Sequence, residues 1–176
     1  MKIKSALDKE VAKNAGNVLF LDFDGVCNSF DCGSYMVHDP SSYGPDPKIL
    51  ARIREICETC NAKIVISSNW RRHPADAVFV YKDMDYRNPI HHIYDNLGEF
   101  VIGTLTKEGH ITKSEALELW FEDNPWFNGK YAIVDDDQRE GFQFNPRYRP
   151  NFWLTERRYG LTERIKSEII KHFGEK

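Results

Sequence analysis

No apolar run in this sequence approaches the roughly 20 residues that a membrane-spanning helix needs, so the expectation is a protein with no membrane partner. Its first residues, MKIKSALDKEVAKNAG, contain Asp8 and Glu10 and no apolar stretch of signal-peptide length, which points to the cytoplasm. Charge of one sign is missing too. Basic residues number 24 and acidic residues 27, and a formal charge of −3 argues against a protein that coats nucleic acid. Cysteine is sparse. The four present, Cys27, Cys32, Cys57 and Cys60, are expected to be reduced thiols in that compartment. Cys57 and Cys60 form a CxxC pair, so a zinc site built from all four is one reading. The other is favoured: Cys57 falls on an apolar helix face, and the spacing of Cys27 and Cys32 is irregular for a zinc knuckle. There is no internal repeat and no low-complexity tract.

What is present suits one α/β domain over residues 1–176. The hydrophobic share is 41%, enough for one core. Residues 17–22 (NVLFLD) and 62–66 (AKIVI) are short apolar runs of the kind found in buried strands. Between them, Asp46-Pro47 supplies an N-cap and a first-turn proline. Ile49, Leu50, Ile53, Ile56 and Cys57 then share a helical face, and Asn61 breaks the helix. Residues 91–97 form a further helix stopped by Gly98. Residues 100–105 give a third strand, broken by Gly103. Thr112 and Glu115 match a capping box, and the helix behind them puts Leu117, Trp120 and Phe121 on one face. Residues 131–134 (YAIV) and 151–154 (NFWL) are the last strands, and Thr162 caps a helix with Ile165, Ile169 and Phe173 at spacings of four. Repeated strand–helix units imply a Rossmann-like, mostly parallel sheet with helices on both faces. Two irregular stretches, at about 28–45 and 71–90, leave the carboxyl ends of strands, where such sheets bind ligands, and read as short rim or cap insertions.

The strand ends carry the chemistry. Asp22 and Asp24 follow the first strand in LDFDGV, and Gly25 lets the chain turn sharply away from the sheet. Two carboxylates directed to one spot are costly unless a cation or a proton lies between them. Ser67 and Ser68 end the second strand and can donate hydrogen bonds to a phosphoryl oxygen. Lys113 opens a helix, where an ammonium and backbone N–H groups both favour an anion. Asp135 and Asp136 end YAIV and add negative charge to the same edge. Each feature alone has a bland explanation as a turn or solvated loop; four in this order at four element ends do not.

LDFDGV, IVISSNW, the lysine of ITKSEALELW, and IVDDD resemble, in order, the four motifs of the haloacid-dehalogenase-like (HAD) hydrolase superfamily, over residues 17–137. SSNWR, the tryptophan after Lys113, DDD and the late YGLT resemble more closely the HAD domain of "Swiss Army knife" RNA-repair proteins. The resemblance implies a HAD-like core without a large cap, and magnesium-dependent phosphoryl transfer. Asp22 would be the nucleophile that carries an aspartyl-phosphate, and Asp24 the general acid. Ser67, with Ser68 as the alternative, would hold the phosphoryl group, and Lys113 would neutralise nucleophile and phosphate. Magnesium would be bound by Asp22, Asp24 through its backbone carbonyl, and Asp136, with Asp135 orienting Lys113 or a metal-bound water. Gly25, Ser68, Asn69 and Arg71 would contact substrate. Oxygen-only ligands suit magnesium better than zinc. Two departures from the family pattern are Val26, where many members have threonine, and Lys113, where arginine is common in relatives of this subtype.

The presence of Asp24 favours a phosphatase over a dehalogenase, and a site without a large cap suits a bulky substrate such as a nucleotide or nucleic-acid end phosphate. The alternatives are small metabolites, phosphoproteins, or a catalytically inactive domain that binds phosphorylated ligands. Rim residues with the chemistry to select a substrate are Tyr35, His38, Tyr43, Arg71, Arg72, His73, Tyr81 and Tyr86; Trp70 reads more readily as core than as a stacking platform. Arg139, Arg147, Arg149, Arg157 and Arg158 form a late basic stretch, read first as a solvated face and second as a contact for a nucleic-acid backbone.

Overall fold

A computed structural model describes residues 16–31, 44–81, 84–106 and 111–175. Five strands form one parallel sheet: β1 (Asn17–Leu21), β2 (Ala62–Ile66), β5 (Val101–Thr104), β6 (Lys130–Asp135) and β7 (Phe152–Leu154), in the order β5-β2-β1-β6-β7. A two-stranded antiparallel hairpin, β3 (Val78–Tyr81) and β4 (Met84–Arg87), stands apart from it. The helices are α1 (Pro47–Cys60), α2 (His91–Leu97), α3 (Lys113–Asp123) and α4 (Glu163–Gly174). Among the described residues no helix is long and apolar enough to cross a membrane.

The apolar strands are buried on both faces because alternate residues serve two cores. Leu19 and Leu21 of β1, with Ile64 and Ile66 of β2, pack against Ile49, Ile53 and Ile56 of α1 and Ile165 and Ile169 of α4. Val18, Phe20 and Val65 point the other way, onto Ala116 and Leu117 of α3, Phe142 and Tyr148. Phe20 is ringed there by Trp120, Phe121 and Tyr131, whose rings meet it edge-on. This is the expected α/β architecture with helices on both faces.

Local chemistry sets the helix ends. Asp46 accepts a hydrogen bond from the Lys48 N–H with Pro47 in the first turn, and Asn61 closes α1 in the left-handed region at φ 48°. Thr112 and Glu115 form the reciprocal capping box of α3, and the Thr162 hydroxyl accepts from the Ile165 N–H to start α4. Two expectations change. Gly103 does not break β5: it pairs with Val65, one residue past a register shift that absorbs Ile102 as an extra residue. The stretch at 71–90 is not irregular throughout but contains the β3–β4 hairpin. Most of the 28–45 stretch, with Cys32, Tyr35, His38 and Tyr43, lies outside the described residues, as do the side chains of Tyr81 and Tyr86.

Chain order places a switch point beside β1. From β1 the chain runs outward through β2 to β5, then crosses to β6 on the other side of β1 and on to β7. Ligands bind such sheets at the carboxyl ends of the strands flanking that switch. The segment after β7 wraps the turn after β1: Thr155 Oγ1 donates to the Gly25 carbonyl at 2.7 Å, and the Leu161 N–H to the Val26 carbonyl at 3.0 Å. Gly160 makes this approach possible. Its φ is 61°, and a Cβ there would lie 2.5 Å from Ile49 Cδ1 and 2.8 Å from the Val26 carbonyl oxygen. Replacing it with alanine should cost about 3 kcal/mol, from left-handed strain plus overpacking. Gly141 has φ 82° and no atom within 4 Å of a Cβ, so Gly141→Ala should cost only about 1 kcal/mol of strain. Urea unfolding of the two variants checks this, and equal losses would contradict the packing argument.

Candidate active site

Strand register alone aligns the site. Leu21 pairs with Ile66 on one side and with Val134 on the other. Asp22, Ser67 and Asp135 are therefore the next residues of three adjacent strands. The Asp22 N–H donates to the Val134 carbonyl at 3.1 Å, and the Ser67 N–H to the Leu21 carbonyl at 2.9 Å. The Thr155 N–H continues the row by donating to the Asp135 carbonyl at 3.0 Å.

Lys113, the first residue of α3, reaches under this row. Its Nζ donates to Asp22 Oδ2 and to Asp135 Oδ2, both at 2.7 Å, and all three side chains are buried. The other oxygens are also held: Asp22 Oδ1 accepts from the Phe23 N–H at 2.8 Å, and Asp135 Oδ1 from the Asp137 N–H at 2.9 Å. Asp135 thus has both oxygens engaged within the protein, one of them orienting Lys113. Asp136 takes a different partner, an ion pair between its Oδ2 and Arg157 Nε. Gly25 makes room for that pair: at φ 65°, a Cβ on it would fall 2.6 Å from Asp136 Oδ2 and 2.9 Å from Arg157 Cγ. Its N–H donates to Asn28 Oδ1 at 2.8 Å.

Negative charge is in excess here. Burial opposes the charge on Lys113, but Asp22 and Asp135 outweigh it and hold the ammonium well above the usual lysine range. Burial pushes the Asp135 carboxyl up to about 8, and Asp22 adds to the push against the pull of Lys113. The two directions agree, because one cation cannot balance two buried carboxylates. Burial also raises Asp136, with the Arg157 hydrogen bond acting the other way. Asp22, Asp135 and Asp136 each offer an oxygen within 4.8 Å of the others, which among the described residues is the group able to share a cation. An all-oxygen, partly buried set with more carboxylate than ammonium fits a hard divalent ion.

The serine loop separates two candidates that the sequence leaves open. Ser68 Oγ accepts from the Trp70 N–H at 3.4 Å and caps a short 3-10 helix, Asn69–Arg72. Ser67 Oγ is buried with no hydrogen-bond partner. An unmade hydrogen bond on a buried hydroxyl costs about 1–3 kcal/mol, so this group is the better placed of the two to meet a ligand. Arg71 lies beneath the loop rather than on its rim. It is 1% exposed; Nη1 donates to the carbonyls of Ser67 and Ser68 at 2.9 and 3.0 Å, and Nε to that of Thr106 at 3.1 Å. Its observed role is to fasten the loop. Asn69 is exposed, and its Oδ1 accepts from Arg71 Nη1 at 3.2 Å.

Asp24 stands at the half-buried mouth. Its Oδ1 accepts from Asn28 Nδ2 at 3.3 Å and its Oδ2 from Trp70 Nε1 at 2.7 Å. Trp70 packs partly into the core, as the sequence implies, but its N–H reaches a candidate catalytic carboxyl, which no local pattern signals. Glu140 is a second residue that sequence reasoning misses. Its Oε2 accepts from the Lys113 N–H at 2.7 Å, so a protein carboxylate occupies the first turn of α3, where an external anion is the sequence expectation. The late arginines do not form one free basic surface: Arg139, Arg147, Arg157 and Arg158 pair with Asp137, Glu118, Asp136 and Asp31. Cys27 and Cys57 lie in the core, where burial pushes both thiols up, Cys57 to about 12; they serve as packing groups.

Residues 18–165 match the family model of the HAD domain in Swiss Army Knife RNA repair proteins. No curated protein and no solved structure matches the chain.

The raised Asp135 pKa sets a pH dependence with a definite sign. Between about pH 4 and about pH 8 the folded protein keeps a proton that the unfolded chain has released, so this group's stabilisation is present at low pH and lost as pH rises. In chelator, the stability of the wild type relative to Asp135→Asn should therefore fall from about pH 5 to about pH 8. Magnesium, which favours ionised carboxylates, should reverse the trend at the upper end. Thermal unfolding across this range checks it, and a flat difference in chelator would count against an unbalanced carboxyl at this position.

Proposed function

The chain belongs to the family of HAD domains in Swiss Army Knife RNA repair proteins, and on that footing we propose that it is a magnesium-dependent phosphomonoester hydrolase. Its substrate would be a nucleotide or nucleic-acid end phosphate, and Asp22 would carry an aspartyl-phosphate. The observation that carries this reading is the buried, unpartnered Ser67 hydroxyl, set by strand register next to a carboxylate paired with a lysine. A hydroxyl donor, an ammonium and a nucleophilic carboxylate around one point are the groups that phosphoryl transfer needs.

The steps follow from the residues. A free Asp22 oxygen lone pair attacks phosphorus while the ester P–O bond breaks. Lys113 lowers the negative charge that would otherwise repel the incoming dianion, and the Phe23 N–H keeps the carboxylate from rotating. Ser67 donates to a phosphoryl oxygen. Asp24 gives its proton to the departing oxygen. It then takes a proton from the water that attacks phosphorus in the second step, releasing inorganic phosphate and restoring Asp22. Asp22 and Asp136 would hold magnesium, together with the Asp24 carbonyl, and Asp135 would keep Lys113 in line. The ion would supply charge neutralisation at the phosphoryl oxygens. Arg157 pairs with Asp136 and balances part of its charge.

A panel of phosphate esters tests this, with magnesium or chelator and with Asp22→Asn as control. Magnesium-dependent phosphate release should fall on the order of a thousandfold or more in Asp22→Asn. Equal release by the two proteins on every ester would overturn the enzyme and leave a domain that binds phosphorylated ligands. The nucleic-acid part is tested separately: a phosphorylated oligonucleotide should compete with a small ester, and no competition at saturation would leave small metabolites.

A further inference from the structure

We infer that Trp70 is a positioning residue: its indole N–H holds the Asp24 carboxyl in the orientation from which the leaving oxygen is protonated. The inference rests on the phosphatase reading above and adds to it a residue with no chemistry of its own. Asp24 needs such help because it lies beyond the end of β1, in the turn that Gly25 makes, where no strand ladder fixes its side chain. Two neutral donors do so instead, Trp70 Nε1 on Oδ2 at 2.7 Å and Asn28 Nδ2 on Oδ1 at 3.3 Å. One donor on each oxygen removes rotation about the Cβ–Cγ bond. A carboxylate oxygen has more than one lone-pair direction, so accepting from a donor does not by itself bar it from carrying a proton toward substrate. A general acid works only when that proton lies within hydrogen-bond reach of its target.

Trp70 is itself held on three sides. Its backbone N–H is tied to Ser68 Oγ, and its carbonyl accepts from Asn88 Nδ2 at 3.0 Å. Asn88 is fully buried, and the same amide also reaches the carbonyls of His73 and Pro74. The indole meets Phe79 of β3 edge-on, with centroids 5.3 Å apart, and Phe79 in turn meets His73 at 5.0 Å. The hairpin, which pairs with no strand of the main sheet, thus packs on the ring that orients the acid.

Trp70→Phe keeps a ring against Phe79 and removes the N–H. Its effect should depend on the leaving group. An alkyl phosphate needs a proton delivered to its leaving oxygen, whereas dinitrophenyl phosphate releases a stable anion. The fall in kcat should be at least about tenfold larger on the alkyl ester than on the activated one, within the range that general acid catalysis contributes. Equal losses on both esters would make Trp70 a structural residue only and overturn the inference, as would no loss on either. Benzothienylalanine at position 70, which has the indole shape without the N–H, repeats the test if the phenylalanine variant fails to fold. A readout independent of turnover is the Trp70 indole N–H resonance in nitrogen-labelled protein, which should move upfield in Asp24→Asn. A resonance that stays in place overturns the contact itself. If it moves while the wild type shows no magnesium-dependent turnover on any ester, the phosphatase reading fails, and the catalytic role given to Trp70 fails with it.

Discussion

One buried ammonium organises this molecule. Lys113 joins the end of β1 to the end of β6 by donating to Asp22 and Asp135, and so connects the two strands between which the chain reverses direction. Taking charges out of water is expensive, and a buried pair is tolerated only when its remaining hydrogen bonds are made. Here the outer carboxylate oxygens have theirs, from the backbone N–H groups of Phe23 and Asp137, and Glu140 takes the backbone N–H of Lys113. Even so, one positive charge faces two buried carboxylates with Asp136 close by, and the residual negative charge is what fits the place to a cation.

Around that triad the structure is a set of fastened loops. The turn after β1 is bound by the segment after β7, through Thr155 and Leu161. The serine loop after β2 is gripped from below by Arg71 and tied to the β3–β4 hairpin by Asn88. Such bonds matter because loops at strand ends have no ladder of their own, and a catalytic group must be held within a fraction of an ångström of its working position. Against this background of satisfied groups the bare Ser67 hydroxyl stands out. Buried polar groups are ordinarily hydrogen-bonded, and in this loop the Ser67 hydroxyl is not.

Much of this was legible in the residues. The continuous apolar runs at 17–21 and 62–66 announced strands covered on both faces, and Asp46-Pro47, the Thr112–Glu115 box and Thr162 marked helix starts that the structure reproduces. LDFDGV, ISSNW, Lys113 and VDDD named nearly all the polar groups at the switch point. The misses have physical causes. Low strand propensity makes Gly103 read as a breaker, but it pairs with Val65 just past a bulge whose extra residue is Ile102. Arg71 reads as a rim residue because it directly follows the serine loop. Several backbone carbonyls around it make burial acceptable, and those carbonyls are set by the path of the loop.

The division between sequence and fold follows the range of the forces. Caps, periodicity and apolar runs act over a few residues, so the sequence by itself determined the strands of the main sheet and the helices beside it, though not the β3–β4 hairpin, and which acids, serines and lysine stand at element ends. It also determined the family, because the motif order survives in one dimension. Pairing between distant residues is decided by topology and register, which one dimension does not contain. Only the tertiary structure decided that Lys113 bridges residues 91 positions before and 22 after it. It alone distinguished Ser67 from Ser68 by leaving one hydroxyl bare, gave Arg157 to Asp136, and turned the Trp70 indole onto Asp24. Those contacts form only when strands lie side by side and loops cross, and they are what turn a set of polar residues at strand ends into a place where chemistry can occur.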